Sequence, residues 1–122
     1  MSGTLFQKYG GFAKVSRVVL TFYDKVLDSE QIGDFFDDID MSRLVDHQTK
    51  FISSLLGGPA AYTDDRLQQL HAHLGISNQD FDEMAKLLGE ALDENRFEPA
   101  DTVAVIREIE ARRSYIVNAN RA

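Results

Sequence analysis

The stretch Tyr9-Gly10-Gly11 and the residues that follow it, FAKVSRVVLTFYDKVL at positions 12–27, decide the fold of this chain. Two adjacent glycines permit a sharp turn with positive φ, so a short first helix can be followed by a long helix that leaves at a steep angle. The apolar positions of the long helix form one broad face made of Val15, Val18, Val19, Phe22, Tyr23 and Val26. This pattern predicts a long helix packed into a core, with Tyr23 pointing inward.

Helical periodicity recurs along the rest of the chain and strand signals are nearly absent, which predicts a single all-α domain over residues 1–122. Besides the long helix, helices are predicted at about Thr4–Lys8, from Met41 or Ser42 to Leu56, over 64–74, from Ser77 to Asn95 and from Glu98 to Val117. The last of these has its apolar stripe at Val103, Val105, Ile106, Ile109, Ile116 and Val117. A single turn after the long helix carries Phe35 and Phe36, of which one is expected to enter the core and the other to clamp something beside it. Residues 118–122 are expected to fray.

The composition is that of an ordinary globular chain of 122 residues, of which 43% are hydrophobic. Eight Phe and four Tyr provide enough apolar area for a core and for something large held inside it. The net charge of −7 argues against a nucleic-acid partner and against an anionic membrane surface, because both require clustered Lys and Arg.

The chain has no cysteine, which excludes disulfides, thiol nucleophiles and thiolate metal sites. Its first residues lack the apolar run of a signal peptide, and no stretch is apolar for long enough to span a membrane. A cytoplasmic location is therefore expected.

Two histidines lie on the predicted short helix over residues 64–74. His71 falls inside an apolar stripe that includes Leu70 and Leu74, whereas His73 lies about 200° away around the helix. An inward imidazole in an apolar surround is costly unless hydrogen-bond partners or a metal satisfy its two ring nitrogens. His71 is therefore either a hydrogen-bonded core residue or a metal ligand.

The helix that begins near Met41 has an inner stripe of mixed character. Its positions are Leu44, His47, Gln48, Phe51, Ile52 and Leu55, so a histidine and a glutamine interrupt a seam that is expected to be apolar. Gln48 is either satisfied internally or lies at a solvent edge, and His47 is either a boundary residue or directed at a ligand. The hydroxyl of Tyr23 likewise either meets a polar group inside or reaches water at the edge of the core.

Three helices thus offer polar side chains to one interior: Tyr23 from one, Gln48 with His47 from another, and His71 from the third. This arrangement fits a haem pocket better than a zinc site, because it places an imidazole on one side, a phenol and an amide on the other, and aromatic rings between them. Zinc needs three or four converging ligands, and two histidines two positions apart on a helix cannot converge.

The sequence resembles the truncated, two-over-two haemoglobins, and more closely their first group. The matching pieces occur in the family's order over about residues 4–117, and they are Tyr9-Gly10-Gly11-Phe12, Thr21 to Leu27, Phe35-Phe36, Asp40 to Leu44, Phe51 to Pro59 and Leu70 to Ile76. The resemblance implies a globin-like, two-over-two helical sandwich around a haem.

The resemblance also implies roles for individual residues. His71 would be the proximal iron ligand, Tyr23 the distal hydrogen-bond donor to bound oxygen, and Gln48 its assistant. Phe36 would pack against the haem face, and Leu44 takes the position that a distal histidine occupies in ordinary globins. Further contacts with the haem are expected from Phe35, His47, Phe51, Tyr62, Leu70, Ile76 and Phe81.

His47 is a position at which the family varies. Some relatives have a histidine at the matching place that binds iron as a sixth ligand, whereas in others the residue is directed at a propionate, and this sequence is compatible with either. All three histidines lie between positions 47 and 73, so the C-terminal histidine that some relatives bond covalently to a haem vinyl is missing. A non-covalent haem b is therefore expected.

The resemblance implies reversible binding of oxygen, carbon monoxide and nitric oxide by a monomer or weak dimer. One alternative is a nitric oxide dioxygenase supported by a reductase, and another is a peroxidase or electron-transfer protein if His47 ligates the iron. A helical interaction module whose inward histidine is only a core residue would instead be colourless. The haem-based functions use the same residues, so the sequence does not separate them.

Overall fold

A computed structural model describes residues 3–59 and 75–117 of the chain. In these two ranges the chain forms six α-helices and one 3₁₀ turn: α1 (Leu5–Lys8), α2 (Phe12–Leu27), the 3₁₀ turn (Gly33–Phe36), α3 (Met41–Leu55), α4 (Asn78–Glu94), α5 (Pro99–Glu110) and α6 (Arg113–Ile116). The same ranges contain no β-strand, so the predicted all-α fold is confirmed for them. None of the helices described there is long and apolar enough to cross a membrane.

Helix α2 lies at the centre of the fold, because it packs against both α3 and α4, while α4 also packs against α5. Its buried residues are the six that the sequence predicts: Val15, Val18, Val19, Phe22, Tyr23 and Val26. The turn before it uses φ values of 95° at Gly10 and 74° at Gly11, a region that glycine enters without strain. The prediction of a glycine turn that leads into a long buried helix is therefore confirmed.

Side-chain caps explain where several helices begin. Ser77 accepts a hydrogen bond from the backbone N–H of Asp80 at 3.1 Å, and the Asp80 carboxylate accepts one from the N–H of Ser77 at 3.0 Å. Asp40 caps α3 by accepting from the N–H of Arg43 at 3.2 Å. Pro99 is the first residue of α5, a position whose backbone N–H has no partner within the helix, so proline loses no hydrogen bond there. The predicted starts of α4 and α5 are confirmed.

A polar cluster holds the end of α1 against the start of α5. The ammonium group of Lys8 lies 2.6 Å from a carboxylate oxygen of Glu98 and 2.7 Å from one of Asp101. The hydroxyl of Tyr9 donates to Asp101 at 2.5 Å, and its ring stacks on Phe97 with 3.8 Å between centroids. The hydrogen bonds from Lys8 and Tyr9 hold the pKa of the Asp101 carboxyl below its usual value.

The predicted last helix, from Glu98 to Val117, is wrong as a single element, because the chain breaks it into α5 and α6. Arg113 opens α6 and reaches back to α4. Its guanidinium lies 2.5 Å from a carboxylate oxygen of Asp82 and 3.1 Å from the side-chain oxygen of Asn78. These bonds tie the start of α6 to α4, while the guanidinium of Arg112 donates to the backbone carbonyl oxygen of Glu108 at 2.7 Å near the break.

The apolar stripe of α5 is narrower than the sequence predicts. Val105 and Ile109, one turn apart, are 1% and 2% exposed, whereas Val103 is 51% exposed. Val103 lies two positions before Val105 and therefore about 200° away around the helix. Its assignment to the buried stripe is wrong.

The inner face of α3 is rotated relative to the prediction. Its buried residues are Thr49, Phe51, Ile52 and Ser53, whereas Leu44, Gln48 and Leu55 are half-buried and His47 is exposed. The small side chains of Thr49 and Ser53 lie one turn apart and complete the inner seam. Of the two alternatives that the sequence leaves for His47, its exposure agrees with a boundary residue.

Part of the predicted chain lies outside the described residues. This part includes the helix predicted over 64–74 with its cap Thr63, the expected cofactor contacts Tyr62 and Leu70, and both His71 and His73. Residues 118–122, expected to fray, also lie outside them.

Candidate functional site

Tyr23 is the most informative polar residue of the described core. Its side chain is only 6% exposed. Burial raises the pKa of its hydroxyl well above the ordinary value, so the phenol remains a hydrogen-bond donor at neutral pH. Within residues 3–59 and 75–117, no group hydrogen-bonds to this hydroxyl. A buried tyrosine hydroxyl usually has a partner, so its surroundings suit a polar ligand.

Two aromatic neighbours hold the ring of Tyr23. The ring centroid lies 4.9 Å from that of Phe22 at an interplanar angle of 64°, and 5.6 Å from that of Phe36 at 71°. Both are edge-to-face arrangements, which aromatic pairs prefer over flat stacking. Phe22 comes from α2 itself, whereas Phe36 comes from the 3₁₀ turn, so the turn determines one side of the tyrosine's environment.

The 3₁₀ turn brings both predicted aromatics to the site. Phe35 and Phe36 are each half-buried and pack against the core. The sequence predicts that one of these two rings enters the core and that the other lies beside it; the structure instead gives both rings similar burial. The turn lies close to the end of α2: a β-carbon added to Gly33 would be 3.1 Å from the carbonyl oxygen of Leu27. Glycine at this position permits the approach.

Helix α3 contributes a half-buried edge beside this cluster. Leu44 and Gln48 are half-buried, and Phe51 is 6% exposed. These positions recur at i, i+4 and i+7, so they follow one side of the helix. His47 is three positions after Leu44 and four before Phe51, so it lies along the same side of the helix, but it is exposed. The four predicted α3 residues therefore share one side of the helix, with His47 at its solvent-exposed edge.

Phe81 and Ile76 lie at the start of α4. Phe81 is 1% exposed, and Ile76 is half-buried in the segment that leads into the helix. The guanidinium of Arg113 lies 4.3 Å from the centroid of the Phe81 ring, a cation–π contact. The aromatic ring that the sequence predicts beside the cofactor is therefore fixed between two helices.

The described residues fit one side of a flat apolar cofactor that carries a small polar ligand. Phe36, Leu44 and Phe51 provide apolar surface, and the buried residue Tyr23 provides one donor that no described residue occupies. Such a slot, with one protein ligand to the iron, is what haem requires. The predicted ligand, His71, lies outside the described residues. Within these residues no three His, Cys, Asp or Glu side chains cluster closely enough to hold a metal ion directly.

Some polar residues near the site were not anticipated. The hydroxyl of Thr49 donates to the carbonyl oxygen of Val45 at 2.7 Å, whereas the fully buried hydroxyl of Ser53 has no partner among the described residues. The hydroxyl of Ser29 donates to Glu83 at 2.9 Å across 54 positions of sequence. The spacing of Thr49 and Ser53 was visible in the sequence, but no local signal pairs Ser29 with Glu83.

Comparison with known sequences points to one family. The family model described as Bacterial-like globin matches residues 4–118. A group 1 truncated haemoglobin, GlbN, of Mycolicibacterium paratuberculosis is 35% identical over 103 residues, which cover 84% of this chain and 75% of that protein. The GlbN of Synechocystis sp. is 32% identical over 110 residues, which cover 87% of this chain and 88% of its own length.

Comparison with solved structures agrees. The Fe(III) form of truncated haemoglobin from Tetrahymena pyriformis superposes with a TM-score of 0.87 at 30% identity, covering 95% of this chain and 99% of that one. The 2/2 haemoglobin of Synechococcus sp., a cyanomet form with covalently attached haem, gives a TM-score of 0.83 at 28% identity and covers 98% and 100% of the two chains. The described helices therefore have the two-over-two globin arrangement.

Proposed function

We propose, from the premise that this chain belongs to the bacterial-like globins and among them to the group 1 truncated haemoglobins, that it reversibly binds oxygen at a non-covalent haem b. Ferrous haem supplies the metal centre at which diatomic gases bind. The observation that carries the proposal is the hydroxyl of the buried residue Tyr23, a donor with no partner in the described part of the chain.

On the distal side, Tyr23 donates a hydrogen bond to the polar end of the bound gas. The bond is strengthened because the surroundings are apolar and exclude water. Gln48, half-buried on the neighbouring helix, assists as a second donor. Phe36, Leu44 and Phe51 would keep the pocket apolar and exclude water from it.

On the proximal side, His71 would hold the iron through its imidazole. Ile76 and Phe81 lie after it in the sequence and contact the cofactor, together with Phe35, Tyr62 and Leu70. Phe81 suits this role because its ring is buried and held by Arg113. His47 is an exposed neighbour of Gln48, and its contact is with a propionate or, after a change of rotamer, with the iron.

Several partners follow from the proposed chemistry. Carbon monoxide and nitric oxide would bind at the same centre as oxygen, and a reductase would be the partner that keeps the iron ferrous. A cytoplasmic location and a monomeric or weakly dimeric state are parts of the same proposal.

An absorption spectrum of the purified protein, with haem added in stoichiometric amount, tests the proposal. Ferric, ferrous and carbon-monoxide forms are expected to give distinct Soret bands, and the ferrous form is expected to bind oxygen reversibly. A protein that stays colourless after haem addition would contradict the assignment. Sharp ferrous α and β bands without any added ligand would instead assign His47 to the iron.

A further inference from the structure

Ser29, just after α2, connects three parts of the fold. Its backbone N–H donates to the carbonyl of Val26 at 2.9 Å, and its own carbonyl accepts from the N–H of Gly33 at 2.9 Å. Its hydroxyl accepts from the N–H of Ile32 at 3.3 Å and donates to a carboxylate oxygen of Glu83 at 2.9 Å. Ser29 therefore joins the end of α2, the start of the 3₁₀ turn and the second turn of α4.

We infer that Ser29 and Glu83 are positioning residues for the distal tyrosine: together they fix the 3₁₀ turn, the turn fixes Phe36, and Phe36 sets the orientation of Tyr23. This inference rests on the proposed function, because it treats Tyr23 as the donor to the bound gas.

The link from the turn to the tyrosine is a ring contact. Phe36 ends the 3₁₀ turn that Gly33 begins, and its ring lies edge-to-face with that of Tyr23 at 5.6 Å. Since no hydrogen bond from the described residues restrains the Tyr23 hydroxyl, ring packing is the contact among these residues that orients it. A small shift of Phe36 therefore moves the donor, and hydrogen bonds weaken steeply when their geometry is lost.

Glu83 suits the role of acceptor. Both Ser29 and Glu83 are half-buried, so their hydrogen bond is partly shielded from competing water. A second bond joins the same two regions, from the side-chain amide of Gln31 to Asp80 at 3.2 Å. That bond is exposed and involves no backbone group of the turn, so it provides a matched control.

The test compares four variants of the haem-loaded protein: Ser29→Ala, Glu83→Ala, Glu83→Gln and the control Gln31→Ala. The readout is the infrared C–O stretching frequency of the carbon-monoxide complex, which reports the electrostatic field of the distal donor and does not respond to stability as such. Oxygen dissociation is measured on the same samples. Tyr23→Phe defines the frequency that is reached when the donor is absent.

Ser29→Ala and Glu83→Ala are expected to shift the frequency towards that of Tyr23→Phe and to raise the oxygen dissociation rate about threefold, the size typical of residues that act through a neighbour. Glu83→Gln keeps an acceptor oxygen, so it is expected to match the wild type, as is Gln31→Ala. Unchanged frequencies in both alanine variants would overturn the inference. A shift in Glu83→Gln as large as in Glu83→Ala would also overturn it, since charge and not the hydrogen bond would then be responsible.

A haem-independent measurement separates this inference from the proposed function. The chain has four tyrosines, so fluorine NMR of protein labelled with 3-fluorotyrosine, assigned with Tyr23→Phe, resolves Tyr23 whether or not haem binds. Ser29→Ala and Glu83→Ala are expected to move the Tyr23 resonance, while Gln31→Ala leaves it in place. If Ser29→Ala does not fold, the Tyr23 resonance of Glu83→Ala provides the test of the inference. Failure of haem binding contradicts the proposed function alone, whereas an unmoved Tyr23 resonance contradicts this inference alone.

Discussion

In the proposed function, the hydroxyl of Tyr23 is the distal hydrogen-bond donor. Burial raises its pKa, so the group donates at any pH at which the protein is used. Edge-to-face contacts with Phe22 and Phe36 hold the ring without occupying the hydroxyl. A rigid donor with no competing acceptor among the described residues loses little entropy when a ligand arrives, and this favours a strong hydrogen bond.

Replacing Tyr23 with phenylalanine removes the hydroxyl and keeps the ring. The oxygen dissociation rate is expected to rise at least about tenfold, because a hydrogen bond to a partly charged acceptor contributes ~1.5–3 kcal/mol. Stopped-flow displacement of oxygen by carbon monoxide measures this rate.

Tyr9→Phe is the matched control for that substitution. It deletes a tyrosine hydroxyl that bonds to Asp101 at 2.5 Å, in the cluster that joins α1 to α5. The free energy of unfolding is expected to fall while the oxygen dissociation rate stays at the wild-type value. An unchanged rate in Tyr23→Phe would remove Tyr23 from its proposed role.

At the scale of helices, α2 and α3 differ in how well the sequence predicts their orientation. Every residue predicted on the inner face of α2 is buried, because its apolar residues form one uninterrupted face. Helix α3 mixes apolar with small polar residues, so its periodicity allows more than one inward face. The structure selects the face with Thr49, whose hydroxyl bonds to its own helix at 2.7 Å and can therefore be buried at little cost.

Arg113 connects the last helix to the start of α4. Its guanidinium contacts Asp82, Glu110 and the side chain of Asn78, and it covers the ring of Phe81. Arg113→Gln is expected to lower the free energy of unfolding by ~1–2 kcal/mol, because a multi-partner ion pair and a cation–π contact are lost together. Urea denaturation followed by circular dichroism measures the change.

Lys50→Gln provides the comparison for that variant. Lys50 pairs with Asp46 at 3.1 Å within α3, and both side chains are more than half exposed, at 57% and 63%. An exposed pair of this kind is expected to change the free energy of unfolding by less than ~0.5 kcal/mol. Equal losses in the two variants would show that Arg113 makes only an ordinary surface ion pair.

At the scale of the whole molecule, the positions of the histidines predict how the proposed haem is attached. All three lie between 47 and 73, and none is near the C-terminus. Extraction with acidified organic solvent is therefore expected to remove all of the haem, and no haem stain is expected to follow the chain on a denaturing gel. The Synechococcus 2/2 haemoglobin, with its covalently attached haem, serves as the control that keeps the stain. Haem retained by this chain would contradict non-covalent binding.

The sequence by itself determined the all-α class, the glycine turn, the buried face of α2 and the starts of α4 and α5. Each of these follows from neighbours within one or two helical turns, where covalent geometry and side-chain caps dominate. The positions of the globin motifs along the chain also sufficed to identify the family.

Only the tertiary structure decided which face of α3 is buried, where the last helix breaks, and that the Tyr23 hydroxyl has no partner among the described residues. It also decided that Ser29 meets Glu83, 54 positions away. Such contacts depend on how helices pack, and many packings satisfy the same local periodicity. The sequence therefore predicted that Tyr23 points inward, and the folded chain determined what holds it there.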